Sequence, residues 1–160
     1  MKSKTLAKLR DLHPCAEAVA WLEQCECDTA QGAWDNCPRG DWMLWLLGKL
    51  SGPPKSKGRK QLVRAACGCA RLSLQFIKNS EHKSAALKCI ETSEAWADGK
   101  AAIEQVKEAG SAACAAAACA AACAAACAAA YAAYAAAARN KMRRECADVV
   151  HKFFPKAPKL

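Results

Sequence analysis

The chain has 160 residues, 53% of them hydrophobic, and 24 basic side chains against 15 acidic ones give a formal charge of 24 − 15 = +9. This length suits one domain with its own core, and the charge points to an acidic or phosphate-bearing neighbour. Twelve cysteines suggest a disulfide-stapled secreted scaffold, but Met1-Lys2-Ser3-Lys4 leads into no apolar run of the kind a signal peptide needs. Many of the cysteines also fall inside helical patterns, where alanine is the ordinary choice. The expectation is a cytoplasmic protein in which cysteine is a small apolar packing residue, kept reduced.

In chain order, Cys15 to Gln24 is a short amphipathic segment with Val19 and Leu22 at helical spacing and Pro14 near its start. Asp28 or Thr29 can cap a second short helix that carries Trp34 and is closed by Pro38. Asp41 is placed to cap the run Trp42-Met43-Leu44-Trp45-Leu46-Leu47, which is apolar on every side and so predicts a buried central helix with Trp42 and Trp45 in the core. Ser51-Gly52-Pro53-Pro54-Lys55-Ser56-Lys57-Gly58 is a loop. Arg59 to Lys78 predicts a helix with Leu62, Ala66, Cys69, Leu72 and Phe76 on one stripe, broken by Asn79 and Ser80. Ser84 to Ala97 predicts another, ended by Asp98-Gly99, and Ala101 to Ala109 a short one before Gly110. No segment alternates in the period-2 pattern of a strand.

Between Ala112 and Ala138, 21 of 27 residues are alanine, interrupted by Cys114, Cys119, Cys123, Cys127, Tyr131 and Tyr134. Alanine has the highest helix propensity, so a helix about 40 Å long over this run, continuing to about Phe153 and stopped by Pro155, is expected. Alanine lacks the hydrophobicity to drive membrane insertion, so no membrane span is expected. Cys119, Cys123, Cys127 and Tyr131 fall at successive i, i+4 positions and form a seam along which another helix, or a second copy of the chain, can approach closely. A thiolate metal site is disfavoured, because successive turns of one straight helix supply two convergent ligands at best and a structural zinc usually takes four. An ice-binding row is excluded by the lack of threonine in the run. No metal or other cofactor is expected.

Charge is unevenly spread. From Trp42 to Ser80 there is no acidic residue, while Lys49, Lys55, Lys57, Arg59, Lys60, Arg64, Arg71 and Lys78 are basic. Lys55, Lys57, Arg59 and Lys60, with Arg64 one turn further on, crowd a Pro/Gly loop that runs into a helix N-terminus, where a phosphate could be held. The Walker pattern is absent, and nothing resembles a recognition helix, so any nucleic-acid binding would be nonspecific. His13, His82 and His151 are scattered and the carboxylates share no apolar setting, so no catalytic residues are assigned.

Cys37-Pro38-Arg39-Gly40-Asp41-Trp42-Met43-Leu44-Trp45-Leu46, Ala65-Ala66-Cys67-Gly68-Cys69-Ala70-Arg71 and Ile90-Glu91-Thr92-Ser93-Glu94-Ala95-Trp96-Ala97-Asp98-Gly99-Lys100-Ala101, followed by the alanine run, stand in an order that resembles an alanine-rich family. That family is the fifth family of immunity proteins of bacterial polymorphic toxin systems, with its phage relatives. The likeness covers about residues 14 to 155. It implies an all-helical, non-enzymatic protein that neutralises a toxin or host defence component by binding it. The expected architecture is an all-α, single-domain bundle of about six helices. It divides into Trp-rich helices (1–52), a basic loop (53–58), middle helices (59–109), a long alanine-rich helix (110–154) and a tail (155–160). A protein partner is the leading expectation, a phosphorylated small molecule on the basic loop the second, and nonspecific nucleic acid the third.

Overall fold

The computed structural model describes residues 2–53, 55–112 and 132–159, and among them the chain is all-α, with no strand. Its helices are α1 (Lys2–Arg10), α2 (Ala16–Gln24), α3 (Ala30–Asp35), α4 (Gly40–Leu50), α5 (Lys57–Ser73, prolonged by a 3-10 turn over Leu74–Phe76), α6 (Ser80–Ala97), α7 (103–112) and α8 (Ala132–Phe153). None of the described helices is long and apolar enough to cross a membrane. The seam expected at Cys119, Cys123, Cys127 and Tyr131, and the continuity of the alanine helix, lie outside the described residues.

Local chemistry sets most boundaries. Thr29 Oγ1 accepts from the Gly32 N–H at 2.9 Å to start α3, and Asn79 Oδ1 accepts from the His82 N–H at 3.0 Å to start α6. At the end of α6, Gly99 takes a left-handed φ of +79°, which lets its N–H reach Trp96 O at 2.9 Å and the Lys100 N–H reach Ala95 O at 2.7 Å. The cap expected at Asp41 does not form. Helix α4 already begins at Gly40, Arg39 occupies the cap position without a side-chain bond to the helix, and Asp41 sits in the first turn.

The reason lies in packing. Helix α8 crosses both α4 and α5, and α5 is covered on another side by α6. A Cβ on Gly40 would lie 2.5 Å from the backbone carbon of Cys146 in α8, and one on Gly68 would lie 2.8 Å from Val149 Cγ1. Both glycines therefore mark places where two helices meet with no room for a side chain. Met43 and Leu47 of α4, Leu62 and Cys69 of α5, and Ala147 and Val150 of α8 form one buried cluster, which Trp34 and Cys37 join.

Two packing expectations need correction. On α5 the buried residues are Leu62, Ala65, Cys67 and Cys69, while Ala66 is exposed and Phe76 is 59% exposed. Covering on two sides widens the buried face, so that Cys67 turns its thiol to Ile90 O in α6 at 3.7 Å. The helix also stops at Ser73, which takes Phe76 out of register. On α4 only Gly40, Met43 and Leu47 are buried, so Trp42 and Trp45 are half-buried rather than core. The apolar run exceeds what α8 and α5 can cover, and its remaining face looks toward α2.

The cysteines divide as well. Cys37, Cys67 and Cys69 are buried free thiols, as a packing role requires, but Cys15 is exposed. Cys25 and Cys27 are bonded to each other across a Cα–Cα separation of 5.3 Å, within the range a disulfide bridges. They lie in the non-helical connection between α2 and α3, where residues two apart need not point to opposite sides. This corrects the expectation that every cysteine is a reduced packing residue.

Candidate binding site

Four of the five tryptophans, Trp21, Trp34, Trp42 and Trp45, line one cavity of about 100 Å³. Helix α2 contributes Ala18, Trp21 and Leu22, α3 contributes Ala30, Ala33 and Trp34, and α4 contributes Trp42, Met43, Trp45 and Leu46. Leu9, Pro14 and Cys37 add to the wall, as do Ala157 and Pro158 of the C-terminal tail. The small residues of α2 and α3 leave the space, and the tryptophans of α2, α3 and α4 line it.

The tail is held in place from α3. Gln31 Nε2 donates to Pro155 O at 3.0 Å, and Gln31 Oε1 accepts from the Ala157 N–H at 2.8 Å. Trp34 is fastened from both ends: its Nε1–H donates to Phe154 O at 2.9 Å, and its own carbonyl lies 2.9 Å from His151 Nε2. The fixed wall of the cavity is therefore α3, tied to the end of α8.

The other wall is made by Trp21 and Trp42, whose ring centroids are 5.9 Å apart at a tilt of 49°. Arg39 lies over the Trp42 ring with its Cζ 4.3 Å from the centroid. Its guanidinium is aimed by two acids: Nε and Nη2 donate to Asp41 at 2.8 and 2.7 Å, and Nη1 donates to Glu17 at 3.3 Å. The Arg39 hydrogen bonds hold the Asp41 carboxyl below its usual range, and the same bonds raise Arg39. Burial pushes the Cys37 thiol up, so that it stays protonated as part of the wall.

One indole donor is unsatisfied. The Nε1–H of Trp42 is buried and has no hydrogen-bond partner within the protein. Leaving such a donor unpaired costs about 1–3 kcal/mol.

The basic loop is arranged differently from a phosphate cradle. Lys55 and Lys57 are exposed, and Lys60 is half-buried. Arg59 donates instead to Gly48 O at 3.1 Å and Gly52 O at 3.0 Å, which ties the C-terminal end of α4 to the start of α5. Arg64 donates to Asp98 Oδ1 from Nε at 3.1 Å and from Nη2 at 2.8 Å, and to Ala97 O at 2.9 Å, closing the C-terminus of α6. That hydrogen bond from Arg64 holds the exposed Asp98 carboxyl below its ordinary value. Ser56 caps α5 by accepting from the Arg59 N–H at 3.1 Å, so one of the helix's open donors is already taken.

Among the described residues no group of three or more His, Cys, Asp or Glu side chains could hold a metal ion. No protein-family model, curated protein or solved structure matches the chain.

Proposed function

We propose that this protein is a non-enzymatic inhibitor of the immunity type, which sequesters a toxin or host defence component by seating an apolar anchor residue of that protein in the tryptophan cavity. The observation that carries this reading is the preformed cavity itself, walled by Trp21, Trp34, Trp42 and Trp45. Interfaces concentrate their binding energy in a few anchors that fill such pockets, and surrounding contacts exclude water. At about 100 Å³ the space suits one side chain; pockets for whole small molecules start near 300 Å³. A charge of +9 favours a partner with an acidic surface around its anchor. The resemblance in the sequence points to the same mode of action. A phosphate sponge draws less support, since Arg59 and Arg64 are already spent on carbonyl oxygens and on Asp98.

The test compares native mass spectra of the wild type and of Ala18→Leu, both purified gently from the native host. Ala18 lines the cavity on α2, and leucine there fills the space while keeping a good helix former. A protein partner held by the wild type and lost from Ala18→Leu, with circular dichroism unchanged, is the expected result. A partner held equally by both proteins, or none held by either, counts against the proposal.

A further inference from the structure

Cys37, Cys67 and Cys69 are buried free thiols, but Cys25 and Cys27 are bonded to each other and only half-buried. Their neighbours Glu23, Gln24, Glu26 and Asp28 are all exposed, so a small thiol in solution can approach the bond. Exposed disulfides are the labile ones, whereas structural disulfides resist reduction. The bond is also a poor staple. It encloses Glu26 alone, and a disulfide stabilises a fold mainly by constraining the unfolded chain, most of all across a long loop. What it does constrain is the joint between α2 and α3. Cys25 is the C-cap of α2, and its N–H donates to Trp21 O at 2.8 Å. Cys27 sits against the start of α3, where its Cβ would lie 3.7 Å from a Cβ on Gly32.

We propose that Cys25 and Cys27 form a reversible thiol–disulfide exchange site whose co-reactant is a small thiol such as glutathione, and whose oxidation state sets how firmly the end of α2 is held to α3. In the reducing direction, the thiolate of one glutathione attacks one sulfur of the pair. The S–S bond breaks, a mixed disulfide forms, and the other cysteine leaves as a thiolate and takes up a proton. A second glutathione displaces the first, which frees the remaining cysteine as a thiol and leaves oxidised glutathione. Two electrons have then passed from two glutathiones to the cysteine pair. Oxidised glutathione drives the same steps backwards. Closing the ring is intramolecular, because the two thiols stay one residue apart in a non-helical connection. Opening it removes the covalent tie between the cap of α2 and the residue packed on Gly32. Trp21, whose carbonyl receives the Cys25 N–H, carries that change to the cavity it lines.

The test equilibrates the wild-type protein, without oxygen, in glutathione buffers that run from oxidised to reduced and back. Free thiols are trapped with N-ethylmaleimide in denaturant and located by peptide mass spectrometry. Labelling of Cys25 and Cys27 should rise together from almost none to almost complete, and should retrace its course on reoxidation. Cys37, Cys67 and Cys69 should be labelled at every ratio. A pair that stays oxidised in reduced glutathione, or stays reduced in oxidised glutathione, overturns the exchange site. So does Cys25 bonded to any cysteine other than Cys27. Indole N–H resonances of the two end states give the second reading: Trp21 should shift, and Trp96 on α6 should not. Identical spectra overturn the hold on α2, and shifts of all five indoles overturn a change confined to one joint. Cys25→Ser/Cys27→Ser should show the reduced position of Trp21 at every glutathione ratio. A Trp21 resonance that still follows the ratio in that variant overturns the assignment to this pair. Labelling of the wild type decides the exchange site on its own, whether or not the variant folds.

Discussion

Trp34 and Gly40 show how much a single position decides. The sequence directs attention to Trp42 and Trp45 as core, because they sit in the longest apolar run, yet Trp34 is the buried one at 5% exposure. Trp34 also bonds to the chain that follows α8, so it joins the N-terminal helices to the C-terminal end. Trp34→Ala should therefore cost about 3–5 kcal/mol, while Trp45→Ala, half-buried at the cavity rim, should cost clearly less. Urea denaturation of the two variants checks the order, and equal losses would show that Trp45 is as enclosed as Trp34. At Gly40 a Cβ would strike the α8 backbone at 2.5 Å, and backbone cannot yield as a flexible side chain can. Gly40→Ala should cost about 1–3 kcal/mol by prising α4 from α8. Gly48, whose Cβ would meet nothing within 4 Å, is the control: Gly48→Ala should hold or raise the melting temperature.

For elements, the rule is that local chemistry was legible and spatial assignment was not. The caps at Thr29 and the glycine end at Gly99 could be read in advance, because each acts within a few residues of itself. Helix α1 leaves little trace in the sequence, since Lys2–Arg10 offers only Leu6 and Leu9 as an apolar pair. The sequence pattern starts α6 at Ser84 and the structure at Ser80, because Asn79 looks equally like a helix breaker and a helix cap. Because Asn79 caps α6, Asn79→Ala should lower stability by about 1 kcal/mol, as measured by the urea midpoint. The cations of the basic loop teach the same lesson. Spacing placed Arg59 and Arg64 beside Lys55 and Lys57 as one patch, but carbonyls at the ends of α4 and α6 claim both arginines. Arg64→Ala should lower the urea midpoint, whereas Lys55→Ala and Lys57→Ala, at exposed positions, should leave it unchanged.

At the scale of the molecule, the cavity was invisible in the sequence because its walls come from α2, α3, α4 and the tail beyond α8, separated by more than a hundred residues. The only hint was the crowding of four tryptophans into the first 45 residues. The core was more legible, since cysteine as a small buried residue holds for Cys37, Cys67 and Cys69. Those thiols give the fold a distinctive response to pH. Burial, with the Glu94 charge adding to it, pushes Cys67 up to about 11, and burial beside Cys146 pushes Cys69 up to about 12, from an ordinary value of 9.0. A raised value means that the folded protein keeps protons which the unfolded chain releases above pH 9. The stability these thiols contribute is thus fully present below pH 9 and is lost as pH rises toward 11 and 12. At pH 10 the loss should be roughly 1 kcal/mol for each thiol. Urea midpoints at pH 7.5 and pH 10 should accordingly fall further apart in wild type than in Cys67→Ala/Cys69→Ala. Lysine and tyrosine titration is common to both proteins and cancels in the comparison. Parallel falls in the two proteins would mean that water reaches these sulfurs, and that α5 is not sealed between α6 and α8 as the packing describes.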